Sequence, residues 1–180
     1  MFKRKKKLTH AQIESAKLVE KKNRMIEIHT QIGGEYLIMI KNLEIHIDRI
    51  ITNYFCVGNT KRDFFLEHVL RGQRAASLAK KIEILGNLLH KEFPDFLNTH
   101  NDFLPLIKQL VRFRNELVHH PADYRIKELP KLKEDVLYLR ILKNGKEESK
   151  PFKIKKIQKM IGIGVALSID FNQLSMLIEK

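Results

Sequence analysis

The chain is expected to be mainly α-helical, an antiparallel helical bundle carrying a β-hairpin just before its last helix. Three observations predict this. Apolar residues recur at helical spacing in several separate stretches, and one later stretch alternates like paired strands around Asn144-Gly145. The third is size: 180 residues with 43% hydrophobic content suffice for one domain with a real core, and two are not expected. The implied organisation is a basic flexible tail over residues 1–8 and a single domain over 9–180.

The elements follow in order. Thr9 and Gln12 have capping-box spacing, so a helix should start there and run to about Met25. It is mostly Lys, Glu and Gln, with Ile13, Leu18, Val19 and Met25 as its anchors. Gly33-Gly34 should break or bend the chain. Beyond it, Tyr36, Ile40, Leu43, Ile47, Ile50, Ile51 and Tyr54 mark the first long core helix, ending near Gly58. Its opposite side carries Asn42, His46, Arg49 and Asn53, which reads first as a wet face and second as the border of a nucleic-acid cleft at His46.

Thr60 and Asp63 suggest another start, with Phe64, Phe65, Val69 and Leu70 facing inward until Gly72 interrupts. A third pattern, Leu78, Ile82, Leu85, Leu88 and Leu89, closes at Phe93-Pro94. Arg71, Arg74, Lys80 and Lys81 make this region basic. Asp102 is placed to cap the next helix, Phe103 to about His119, with Pro105 tolerated in its first turn. Val136–Leu142 and Pro151–Lys155 then read as a hairpin over about 136–155 turning at Asn144-Gly145. Met160, Ile163, Leu167, Phe171, Leu174 and Ile178 mark a last helix over about 156–179, loosened by Gly162 and Gly164.

The totals narrow the function classes. A net charge of +13 favours a polyanionic partner, and +13 less the five cations of Lys3–Lys7 still leaves +8. The lone Cys56 cannot form an internal disulfide, and no Cys/His spacing suits zinc. The longest apolar run, Met160 to Ile169, is shorter than the roughly 20 residues of a membrane span. The basic start lacks the apolar stretch of a secretory signal. A soluble cytoplasmic protein without cofactor, metal or membrane partner is expected.

One segment stands out: Val111-Arg112-Phe113-Arg114-Asn115-Glu116-Leu117-Val118-His119-His120-Pro121. On an ideal helix Leu106, Leu110, Phe113, Leu117 and Val118 share an apolar arc, and Arg114 falls inside it. A charge there must be paired or must emerge at an interface. Pairing with Glu44 or Asp48 is one outcome, and a chemical role is the other. Arg112, Asn115, Glu116 and His119 take the other side. Arg114 and His119 stand roughly 140° apart, so they meet only if the helix loosens or if two copies pair. Pro121 discourages helical geometry at His120, which leaves both histidines at or past the helix end. The helix dipole favours an imidazolium there, while Arg112 and Arg114 oppose it.

Arg114-Asn115, three residues, then His119 resembles the Arg-polar-x-x-x-His signature of the HEPN superfamily, small all-helical domains of many RNA-cleaving defence and toxin proteins. The pattern of helices before and after it extends the likeness to most of the chain. The resemblance implies a homodimer with the active site between protomers, RNA as substrate, and a regulatory protein as a possible further partner. It implies metal-independent cleavage by the RNA's own 2′-hydroxyl. His119 would serve as general base or acid, Arg114 would stabilise the phosphorane, Asn115 would orient His119 or hold a phosphate, and Arg112 and His120 would support them. Some toxin members carry a tyrosine two residues after the histidine; here that place is Pro121, so regulation through such a tyrosine is not supported. Members of the superfamily also serve as non-catalytic RNA-binding or protein-docking modules, and that reading stays open. No helix-turn-helix with a convincing recognition helix is present.

Overall fold

The structure is a computed structural model that describes residues 9–56, 59–71, 76–125 and 128–178. The expected basic tail lies outside them. The described chain is mainly helical, with a two-stranded antiparallel hairpin before the last helix.

Helix α1 spans His10–Phe55, 46 residues without interruption. Its start is the expected capping box, with Thr9 N–H donating to Gln12 Oε1 at 2.9 Å and Gln12 N–H to Thr9 Oγ1 at 3.4 Å. The expected stop near Met25 and break at Gly33-Gly34 do not occur. Met25, His29, Ile32, Tyr36, Met39, Leu43, Ile47 and Ile50 are all buried, and their spacings of three or four residues pass the glycines without a change of phase. Burial on both sides thus outweighs a helix penalty of about 1 kcal/mol per glycine.

Helix α2 (Asn59–Phe65) runs into one π-helical turn, Leu66–Leu70. That wider turn rotates the expected apolar face out of register. Leu70 is buried and Phe65 half-buried, but Phe64 and Val69 are exposed. Helix α3 (Leu78–Glu92) follows its predicted pattern and is capped by Ser77, which accepts from Lys80 N–H. A short helix α4 (Pro94–Thr99), not foreseen, seats Phe96 in the core; proline at its first position was the available signal. Helix α5 (Phe103–His119) ends where expected, but Asp102 has helical φ and ψ and makes no capping bond.

Strands β1 (Val136–Lys143) and β2 (Lys146–Lys153) pair in register Lys143↔Lys146 around Asn144 (φ 51) and Gly145 (φ 74). Two positive-φ residues make the tight turn that matches strand twist. Leu137 and Leu139 cover the main core, whereas Tyr138 packs on a small second core of Met25, Leu129 and Leu132. Helix α6 (Ile154–Ile178) begins at once and is not loosened at its glycines. Gly164 lies against Met39 of α1 so closely that a Cβ would strike the thioether.

Helix α5 packs on α1, α3 and α6 and runs antiparallel to all three. Tyr36 O–H donates to the Leu110 carbonyl at 2.6 Å, while Leu117 and His120 lie beside His29 and Gly33 further back along α1. Phe103 and Phe171 meet at 4.9 Å, which ties the start of α5 to the far half of α6. By length and composition α6 could cross a membrane, which the run Met160–Ile169 did not suggest, because Asp170 interrupts the run but not the average. One side of it, from Ile157 to Leu174, is buried in the bundle, while Val165, Ile169 and Met176 on the rest are exposed.

Candidate functional site

Arg114 is half-buried on the stripe Ile107, Val111, Arg114, Val118 of α5. Helix α3 covers only the first part of that stripe. Gly86 sits beside Leu104, and since the two helices run oppositely, the start of α3 comes level with about Val111. Arg114 therefore emerges just past the point where α3 begins, and Val118, expected in the core arc, is exposed for the same reason.

No pairing of Arg114 with Glu44 or Asp48 forms. Those carboxylates each sit 2.8 Å from Lys81 Nζ, and Arg71 Nε donates to Asp48 at 3.1 Å. Arg114 instead donates from Nη1 to Asn115 Oδ1 at 3.1 Å. Arg24, Arg71, Arg125 and Arg140 all pair with carboxylates. Among the described residues Arg112 and Arg114 have no such partner. The nearest acid in sequence, Glu116, is engaged by Lys150 at 2.7 Å.

Lys108, Arg112, Asn115 and His119 form one exposed stripe at i, i+4, i+7 and i+11. Its first three members border a cleft of about 570 Å³ between α3 and α5, opposite Glu83, Asn87 and His90, over a floor that includes Ile82 and Leu104. Arg112 also rims a groove of about 230 Å³ beside Lys150 and Phe152. The structure thus gathers Arg112 and Asn115 and bonds Asn115 to Arg114. Arg114 and His119 line neither opening. Helix α5 stays regular to His119, so loosening does not bring them together within one chain.

His120 turns elsewhere. Its backbone is extended (φ −122, ψ 119), as the following proline demands, and its side chain lines a third cleft of about 260 Å³ with His29 and Tyr124. His29 Nδ1 shares a hydrogen bond with the Tyr124 hydroxyl at 2.9 Å. Burial holds the His29 pKa below its ordinary value, and the Val136 carbonyl opposes this only in part. Burial pushes the Tyr124 phenol up to about 12.

The end of the motif is fixed from the hairpin side. Arg140 N–H donates to the Pro121 carbonyl and Asp123 N–H to the Tyr138 carbonyl, both at 2.8 Å. Buried Asp123 accepts from Arg125 Nε at 2.8 Å and Nη2 at 2.6 Å, and from the Ser149 hydroxyl. The Arg125 hydrogen bonds hold its carboxyl at about 2, against the opposing effect of burial. Sequence reading missed Asp123, His90 and Lys108. Only Lys108 had a signal, its place one turn before Arg112.

Among the described residues no group of three His, Cys, Asp or Glu side chains is placed to hold a metal ion. No family model matches the chain, and the comparisons with curated proteins and with solved structures gave no match.

Proposed function

We propose that the chain is a metal-independent endoribonuclease of the HEPN type, acting on cytoplasmic RNA as a pair of copies. Arg114 carries this reading. It is a guanidinium on an apolar stripe, without a carboxylate partner among the described residues, aimed by Asn115 and open where α3 leaves α5 uncovered. The cost of placing a charge there is offset if a phosphate and a second copy meet it. In this mechanism His119 takes the proton of an RNA 2′-hydroxyl, and the 2′-oxygen attacks phosphorus. Arg114 of the other copy stabilises the charge on the phosphorane oxygens. The bond to the 5′-oxygen breaks, that oxygen takes a proton from water, His119 returns its own proton to solvent, and a 2′,3′-cyclic phosphate remains.

The test is purified protein with RNA in EDTA. Cleavage to cyclic-phosphate ends is expected, lost in Arg114→Ala and in His119→Ala, with DNA untouched for want of the 2′-hydroxyl. A second reading, an RNA-binding module without cleavage, is favoured by one observation: the exposed stripe borders a cleft, whereas Arg114 and His119 do not converge in a single chain. RNA binding that survives both substitutions, with no cleavage by the unaltered protein, would establish it instead.

A further inference from the structure

Two more arginines lack a carboxylate partner among the described residues, and they lie away from the motif. Arg49 of α1 and Arg62 of α2 line a cleft of about 490 Å³ together with Arg71, which follows the π turn. The polar stripe of α1 is therefore not uniformly wet. His46 stacks on Phe171 at 5.3 Å, while Arg49 and Asn53 face the cleft. Arg62 is half-buried and its Nε is fully buried with no hydrogen-bond acceptor. Such a donor carries an unrecovered desolvation cost unless an acceptor arrives. Arg71 is held through Nε by buried Asp48, which Lys81 contacts from behind, so its guanidinium is tethered at the cleft. Asp63 is the one carboxylate among the lining residues, set against three guanidinium groups.

The geometry points to a phosphate-binding site formed by Arg49, Arg62 and Arg71. Planar guanidinium forks match phosphate oxygens, and three of them line this one cleft with a single carboxylate among the lining residues. The cleft exceeds one phosphate in volume and has apolar walls at Ile45 and Leu66, so the phosphate would arrive on a nucleotide or an RNA end. It engages α1 from Ile45 onward, whereas the end of the motif packs on His29 to Leu37, at least about 12 Å back along the helix axis. The site stands independently of the proposed cleavage.

The full chain is titrated at fixed ionic strength with inorganic phosphate, with AMP, and with one RNA oligomer bearing either a 5′-phosphate or a 5′-hydroxyl. Phosphate and AMP are expected to bind and raise the melting temperature, where sodium chloride of equal ionic strength does not. Arg62→Gln should weaken AMP binding about tenfold or more, since a charge-assisted bond is lost. Arg49→Gln should also weaken it, Asp63→Asn should tighten it, and Arg24→Gln, at a surface arginine paired with Glu20 and far along α1 from the cleft, should leave it unchanged. Preference for the 5′-phosphorylated oligomer over the 5′-hydroxyl one, lost in Arg62→Gln, identifies an RNA end as the source; equal binding of the two oligomers, with AMP still bound, identifies a free nucleotide. The inference is overturned if neither phosphate nor AMP binds, or if Arg62→Gln and Arg49→Gln bind AMP as the unaltered chain does. Because the readout is binding, that failure leaves the cleavage reading standing.

Discussion

Mixing two inactive variants shows where a shared site would be assembled. Arg114 and His119 are five residues apart on a helix that is regular to its end, which sets them roughly 140° apart around the axis and about 7.5 Å apart along it. In one chain they point to different sides. In the proposed pair of copies, a twofold axis would bring Arg114 of one copy and His119 of its partner together at two equivalent places. The Arg114→Ala pair lacks the guanidinium at both, and the His119→Ala pair lacks the imidazole at both. Each variant alone should fall by about a hundredfold or more, the usual effect of losing a general base or an oxyanion donor.

When the two variants are refolded together in equal amounts, random pairing makes about half of the dimers mixed, and each mixed dimer holds one complete site and one empty one. About a quarter of the original activity should return, far above either variant alone. Cyclic-phosphate ends formed in EDTA at equal total protein give the measurement. The shared-site argument is refuted if the unaltered protein cleaves and the mixture is no more active than the mean of its two components.

Three further outcomes test the fold that carries the site. Gly34→Ala should stabilise the chain by about 0.5–1 kcal/mol in urea unfolding, since nothing lies within 4 Å of the added methyl group. Gly164→Ala should cost about 1–3 kcal/mol, because the methyl meets the side chain of Met39. Lys81→Met should cost about 3–5 kcal/mol, because Lys81 is 2% exposed and its loss leaves Asp48 buried with Arg71 alone; adding Asp48→Asn should recover part of it. For His29 the folded pKa is below 6.5, so the unfolded chain binds the proton more readily. Its stabilising effect is complete above pH 6.5 and declines as pH falls from there toward the lowered value. Melting temperature measured from pH 8 to 5 should show this decline, and His29→Gln should flatten it, with a remainder from His46, which burial also lowers.

What the sequence showed and what it hid have the same cause. Helix positions, the hairpin and its Asn144-Gly145 turn were legible because each rests on local spacing or local φ preference. The continuity of α1 was not, since Gly33-Gly34 is a local penalty overruled by burial of Ile32 and Tyr36 against other parts of the chain. The same division runs through the candidate site. That Arg114 sits on an apolar stripe follows from counting residues. That it emerges into the open depends on where α3 begins relative to α5, which only the fold decides. The three-arginine cleft was hidden for the same reason. Arg49 was legible only as part of a polar stripe, Arg71 only as part of a basic region and Arg62 not at all, and it takes the packing of α1 against α2 and the π turn to set them around one opening. A basic chain of +13 has many cations by composition alone. The informative ones are those that packing leaves without a carboxylate, and among the described arginines these are one pair on the motif helix and one pair at the cleft.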